Sequence, residues 1–466
     1  MGVLMSDHSD LTSGSTRLQL TRLGAPMILG IAAVMSMSLV DAYFIGKIGT
    51  AQLAAIGFTF PVVLTIQSMA IGLGAGAASV ASRAYGEGDR NDICRIATDS
   101  LLLGVIIVSI LTVVGFFTIR PIFALLGAND DIMEHIVSYM RVWFLGVPLL
   151  VIPQIANSLL RAGGDSLIPS GIMISAAVIN AVLDPILILG LWGFPRLELV
   201  GAAWASNGVR AVTLVLSLSV VIFREKLLSL HWPGVSATFA SWKRILKVAL
   251  PAALGSSINP VGVAVVTAFL AALSADTVAA FGVATRIESF AAIPMFALSA
   301  AIGPIAGQNW SSDNRGRVMK ALVQSYFFCV VWSSLIGLAF WLGGDWIALQ
   351  FTDDKTVAKE VSTYLTIVPL TLMGYGVVTI AAGCFNAIDL AKRSLVFYGL
   401  RTAVLYLPLS YIATLLADST GVYIAIGIAN LSAGLVVGYL SLRWLSQQRC
   451  EDVPGPKRVM ELALAP

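Results

Sequence analysis

Seven charged side chains interrupt stretches of the chain that are otherwise apolar: Asp41, Arg141, Asp184, Arg210, Arg286, Glu288 and Arg401, with Asp99 nearer a predicted helix end. A charge in mid-membrane costs at least about 2.5–3.5 kcal/mol, so it is kept where it faces a cavity or a partner. Two of the acids carry the sharpest signal. Asp41 stands in Leu39-Val40-Asp41-Ala42-Tyr43, and Asp184 in Asn180-Ala181-Val182-Leu183-Asp184-Pro185. Asn180 and Asp184 are four residues apart, which puts both on one helix face. Pro185 has no N–H to donate and crowds the preceding turn, so a carbonyl near the pair is left loose. Two carboxylates, an amide oxygen and a loose carbonyl can hold a proton or a sodium ion. Two close carboxylates titrate as a coupled pair and take up the proton together. Met37, one turn before Asp41, adds an adaptable apolar surface of the kind promiscuous sites use. Against these stand plainer readings: an interfacial Asp41 that snorkels outward, and Asp184 as a capped carboxylate at a kink. Arg286 and Glu288, two apart on one predicted helix, are each expected to pair across helices. Arg141, Arg210 and Arg401 either neutralise acids or line a cavity.

The elements that position these groups must be membrane spans. Of 466 residues, 57% are apolar and 12% charged, and the mean hydropathy is +0.86. Soluble chains carry roughly 25% charged residues because their surfaces face water. Stretches of about 20 apolar residues, the length that crosses a bilayer as a helix, recur twelve times. They fall near 22–47, 53–80, 96–119, 133–158, 168–191, 199–223, 243–272, 277–305, 319–343, 357–384, 393–416 and 421–446. With the amino terminus inside, 20 of the 29 Lys and Arg residues fall in the tails and even-numbered loops, and five on the opposite side. By the bias of cytoplasmic loops toward Lys and Arg, both termini are expected in the cytoplasm of a multi-pass inner-membrane protein. A net charge of +3 argues against nucleic acid as a partner. Cys94, Cys329, Cys384 and Cys450 lie far apart and read as small apolar residues. His8, His135 and His231 form no metal-ligand spacing. The run Gly72-Leu73-Gly74-Ala75-Gly76 sits inside a span, where small residues mean close helix packing rather than a phosphate loop. No Walker motif is present, which points away from ATP as the driving force; the chain is not expected to be an enzyme.

Shifting the chain by 225 residues aligns its halves without gaps. Pro26, Leu29, Gly30, Val40, Phe44 and Gly57 fall on Pro251, Leu254, Gly255, Val265, Phe269 and Gly282, and farther on Tyr139 meets Tyr364. Each half has six spans, so the repeat is parallel, with an axis along the membrane normal. The expected organisation is a tail (1–21), an N-terminal bundle (22–223), a linker (224–242), a C-terminal bundle (243–446) and a second tail (447–466). The acids do not repeat. Val266 aligns with Asp41, and Leu405 and Leu409 align with Asn180 and Asp184, so the polar pocket belongs to the first half alone.

These features resemble the multidrug and toxic compound extrusion (MATE) family. The resemblance covers nearly the whole chain: twelve spans in two halves, the Pro26 segment, Gly86-Glu87-Gly88-Asp89 after span 2, and Arg161-Ala162-Gly163-Gly164-Asp165 after span 4. It implies an all-α membrane protein with two pseudo-symmetric six-helix bundles set in a V around a central cavity. Within the family the chain looks like the DinF-like branch, whose cation site is an Asp in span 1 with Asn-x-x-x-Asp in span 5. Asp41, Asn180 and Asp184 match it. The NorM-like branch adds acids in spans 7 and 10, and neither 243–272 nor 361–384 contains one. Some relatives carry a hydroxyl early in span 6, where this chain has only Ser206, a turn later; the departure favours a proton over sodium. By resemblance, Tyr139, Asn157 and Met173 line the substrate chamber, and Pro26 lets the first helix bend. The function implied is antiport: a monomer in the lipid bilayer, without cofactor, exporting drug-like cationic or amphipathic molecules against protons, or against sodium. A flippase for a lipid-linked saccharide, with a chamber lined by Arg141, Arg210 and Arg401, is the alternative of the same fold. An intramembrane prenyltransferase would need DxxxD clusters in a span, and none is present.

Overall fold

In hydrocarbon every backbone N–H and C=O must find its partner within the chain, which leaves helices as the structure open to a chain of this pattern. The computed structural model describes residues 10–46, 48–229 and 234–448; His8, His231, Cys450 and the outer parts of both tails lie outside these. The described residues form fifteen α-helices: α1 (Thr16–Gly46), α2 (Thr50–Glu87), α3 (Arg90–Leu125), α4 (Asp130–Leu145), α5 (Val147–Ala162), α6 (Leu167–Leu189), α7 (Glu198–Ser219), α8 (Val235–Ala271), α9 (Ala275–Ala291), α10 (Ile293–Ser311), α11 (Arg315–Leu349), α12 (Lys355–Ala387), α13 (Ala391–Gly399), α14 (Leu407–Leu416) and α15 (Ser419–Gln447). A π-helical turn, Leu400–Tyr406, joins α13 to α14. Ten spans are continuous; α4–α5 and α9–α10 are bent pairs, at 42° and 44°, and complete the twelve. Phe117, Leu125 and Leu435 are 79%, 90% and 75% exposed, an outer surface that hydrocarbon tolerates and water would not.

Both bends have a local cause. Pro148 cannot donate to the Phe144 carbonyl, which takes a bond from the Thr112 hydroxyl instead (3.4 Å), while the Asn207 amide donates to the Val142 carbonyl (2.6 Å). Pro294 plays the same part in the other pair, where the Trp332 indole N–H donates to the Ala291 carbonyl (2.8 Å). Each freed carbonyl region is thus met from a neighbouring helix, which is the condition for breaking a helix at this depth. The repeat-related spans carry Met373 and Met69 where the bends have Pro148 and Pro294, and α12 and α2 run unbroken.

The chain forms two compact units that are not contiguous in sequence. One comprises 29–253 among the described residues; the other comprises 10–28 with 254 onward. The bundles expected from the sequence, 22–223 and 243–446, are contiguous in the chain, whereas the two compact units exchange a stretch at each start. The first part of α1 packs in the second unit, and the first part of α8 packs in the first. The two crossing points, after Ile28 and after Ala253, differ by 225 residues, the repeat offset, and each lies two residues beyond a proline, Pro26 or Pro251. The glycine run packs as expected: a Cβ on Gly72 would stand 2.5 Å from the Ala249 carbonyl and one on Gly76 2.6 Å from that of Ile245, so α2 and α8 lie backbone to backbone.

Neither the linker nor the described part of the leading tail hangs free. Ser229 donates its N–H to the Thr98 hydroxyl (2.9 Å), Arg90 bonds the carbonyls of Glu225 and Lys226, and Trp242 donates to the Asp99 carbonyl (3.0 Å). The described linker residues, 224–229 and 234–242, are therefore strapped to α3 within the first unit. In the second unit Arg317 donates to the carbonyls of Leu11, Ser13 and Gly14, and Leu11 donates its N–H to Gln308 (3.0 Å). Arg315 bonds the Gln448 carbonyl, so both described chain ends meet at the start of α11. That is the arrangement an even number of spans requires. Cys329 and Cys384 are buried and Cys94 is half-buried, all three free thiols.

Candidate ion-binding site

In the first unit, α1 and α6 approach closely at Gly30, where a Cβ would stand 3.2 Å from the Met173 sulfur and from Ser170. Eleven residues make three helical turns, about 16 Å. Counting eleven forward from Gly30 gives Asp41, and eleven forward from Met173 gives Asp184. Two helices that run the same way from a shared contact thus bring both acids to one face. The Asp41 and Asp184 carboxyl groups meet within hydrogen-bonding reach, and the Asn180 amide donates to Asp184 Oδ1 (3.1 Å). Asn180 and Asp184 are fully buried.

Three oxygens of this cluster, Asp41 Oδ1, Asn180 Oδ1 and Asp184 Oδ2, are buried without a hydrogen-bond partner. Buried acceptors are nearly always satisfied, and one left bare costs about 1–3 kcal/mol. Three together, on two helices, form a small acceptor-only pocket, whose natural occupant is a proton or another cation. Pro185 lies inside α6 and has no N–H for the Ala181 carbonyl one turn back, which adds an oxygen beside it.

Tyr139, from α4, lies within electrostatic reach of both carboxylates and of Arg210. Arg210, on α7, also senses Asp41; it donates to Asn207 (3.2 Å) and rests over the Trp143 ring at 5.3 Å. Sequence reasoning left Arg210 unassigned, and the signal was weak: an arginine in a span names no partner. Met37 and Met173 are half-buried on α1 and α6. Asn157 is placed apart. It is buried on α5, where its Oδ1 accepts from the Ser217 hydroxyl (3.1 Å), and eighteen residues of bent helix set it roughly 25 Å from Tyr139. Pro26 lies in the part of α1 that belongs to the second unit.

The other charges fall out differently. Arg141 is exposed, its guanidinium 6.0 Å from the Phe116 ring centre, and Arg286 is exposed. In the second unit Arg401 is buried, donating to Asn430 (2.9 Å) and Asn259 (2.6 Å), and Glu288 accepts from the Tyr364 hydroxyl.

Twelve apolar spans in two repeats, with ionisable groups buried inside, define a multi-pass membrane transporter. The family model described as MatE matches residues 26–186 and again 251–412, two matches that begin one repeat offset apart. The chain belongs to the MatE family, the multidrug and toxic compound extrusion transporters. It is 36% identical over 449 residues to a protein of Shewanella oneidensis named FAD transporter, covering 96% of this chain and 98% of that one. It is 25% identical to the multidrug export protein MepA of Staphylococcus saprophyticus, over 92% and 95% of the two chains. A crystal structure of a variant of the Vibrio cholerae MATE transporter VcmN superposes with a TM-score of 0.89, at 25% identity, over 93% of this chain and 98% of that one.

Proposed function

We propose that this chain is a proton-driven exporter of bulky aromatic organic molecules from the cytoplasm, of the DinF-like kind, with its coupling site at Asp41, Asn180 and Asp184. The observation that carries the reading is the set of three unpartnered, buried oxygens on α1 and α6. A hard divalent cation takes six or more oxygen ligands, more than this cluster offers. A proton shared by two touching carboxylates needs only the pair. The proton enters from outside, neutralises the pair and alters how α1 packs on α6, and cargo leaves as that packing changes. Pro26 supplies the weak point at which α1 bends. The driving force suffices, since each charge moved inward across 100 mV yields about 2.3 kcal/mol. The protein works as a monomer in the inner membrane with both termini cytoplasmic, and Met37, Tyr139 and Met173 contact the cargo.

For the cargo, the relative named FAD transporter makes a flavin dinucleotide the first compound to test. Arg210, close to Tyr139, supplies a cation near the acid pair that an anionic, ring-bearing molecule can use. Drug-like cations are the second reading, supported by the acid pair and the half-buried methionines beside it. A saccharide-lipid flippase finds less support. Arg141 is exposed and the two mapped donors of Arg401 are spent on asparagines.

The test is transport in proteoliposomes, with FAD and a planar cationic dye, under an imposed proton gradient and then a sodium gradient. The proton gradient should drive export, and Asp41→Asn should stop it while the protein still inserts and folds. A fully active Asp41→Asn protein ends the coupling scheme.

A further inference from the structure

The second unit holds a polar cluster that the coupling scheme above does not use. Glu288 stands on α9, one turn before the bend, and the Ala292 N–H at the bend bonds its backbone carbonyl (2.9 Å). Its carboxylate accepts from the Tyr364 hydroxyl. Arg401 faces the same cavity, within electrostatic reach of Glu288. Arg401 stands in the π-helical turn, clamped by Asn259 and Asn430 and lying over the rings of Tyr375 (4.2 Å) and Tyr406 (5.2 Å). Glu288, Tyr364, Tyr375, Arg401, Tyr406 and Asn259 line a cavity of about 70 Å³, room for a few water molecules.

The repeat makes the cluster informative. Tyr364 is the counterpart of Tyr139, which in the first unit stands by Asp41 and Asp184, so each unit sets the tyrosine of its fourth span by a buried acid. The acids themselves do not correspond: Val63 and Ala176 occupy the positions equivalent to Glu288 and Arg401. The second cluster is not a relic of the first.

We propose that Glu288 is a second proton-exchange site, internal to the second unit, and that Arg401 registers its charge. Unprotonated, Glu288 is drawn toward the guanidinium across the cavity; protonated, it releases that pull. Because Glu288 lies one turn before the break between α9 and α10, the two states bias the bend. The groups facing it are Tyr364 and Tyr375 from α12 and Arg401 and Tyr406 from the π-helical turn, while Arg286 on its own helix is exposed. A file of polar groups leads outward along α12. Glu360, one turn before Tyr364, accepts from the hydroxyls of Tyr423 (3.1 Å) and Ser419 (2.8 Å), and the Tyr423 and Tyr364 rings are 5.1 Å apart. Glu360 is at the end of the unit remote from the described chain ends.

The inference rests on the export reading for its purpose alone, and the test reads protonation directly. The full-length protein, purified with Asp41→Asn and Asp184→Asn to silence the first unit's pair, is titrated by pH-difference infrared spectroscopy in the carboxyl C=O region. Among the protonated-carboxyl bands of this protein there should be one that Glu288→Gln removes. Arg401→Gln should raise the midpoint of that band by about one pH unit or more, a tenfold gain in proton affinity, because a cation no longer favours the carboxylate. Tyr364→Phe should shift it the same way by less. A spectrum unchanged by Glu288→Gln, or a midpoint unmoved by Arg401→Gln, overturns the proposal. Should Glu288→Gln not fold, Glu288→Asp must move the band, and an unmoved band is equally fatal. Failure of the antiport reading shows elsewhere, as undiminished export by Asp41→Asn.

Discussion

The two units are built from one repeat and have spent it in opposite ways. The first keeps bare acid oxygens on α1 and α6 and breaks its fourth span at Gly146. The second keeps that span whole, as α12, and fills its interior with satisfied polar groups around Arg401. The crossing of α12 with α15 shows the cost of the difference. Gly374 lies against Gly434 and the Asn430 carbonyl with no room for a side chain, where the repeat-related positions of the first unit carry Leu149 and Val209. A straight helix can pass that close only on glycine, whereas a bent one moves aside. Duplication thus fixed the framework of spans, and divergence chose which copy keeps bare acid oxygens and which packs tightly.

The contrast is sharpest in activity. Asp184→Asn should reduce export on the order of a hundredfold or more, the scale of losing a proton-transferring group, whereas Leu409→Asn at the equivalent site should leave coupling intact. Export rates under a fixed proton gradient decide it. In stability the order reverses. Arg401→Ala leaves the Asn259 and Asn430 oxygens buried and bare and should cost about 3 kcal/mol. Arg210→Ala, losing one longer bond to Asn207, should cost clearly less; equal melting temperatures for the two variants would erase the distinction between the units. Gly374→Ala should cost roughly 1–3 kcal/mol by overpacking. Gly282→Ala, with open space at its Cβ, should gain up to about 1 kcal/mol from helix propensity. The smallest effect lies in the leading tail. The Thr12 hydroxyl and N–H, with Ser13 and Arg317 behind them, hold the Asp10 carboxyl below its usual value of 3.8. A depressed value means the contribution is present above the unfolded-state pKa and lost as pH falls through the folded one. Asp10→Asn should therefore loosen the tail at neutral pH, by hydrogen exchange at Leu11–Gly14, and make no difference at strongly acid pH.

Much of this was legible in the sequence because the bilayer enforces it. Span length, the Lys and Arg bias and the offset of 225 are each imposed along the whole chain, so local ambiguity averages out. Asp41, Asn180 and Asp184 stand out in the sequence because a charge in a span is costly and Asn180 lies four residues from Asp184. The bends were not read, although Pro148 and Pro294 stand at both. Proline inside a span marks a possible break, and whether it opens depends on Thr112, Asn207 and Trp332, which come from other helices. Asn157 has a partner that no spacing announces: Ser217, sixty residues away on α7, donates to its Oδ1. The Glu288 cluster was missed for a similar reason: its members come from α8, α9, α12, the π-helical turn and α15, with no spacing in common.

The exchange of helix halves after Ile28 and Ala253 bears on how the gene can be cut. Expressed separately, residues 1–223 and 224–466 would each lack the stretch that completes a unit, so neither fragment should mature alone. Co-expressed, each would supply what the other is missing, and complementation between them would reconstitute the whole.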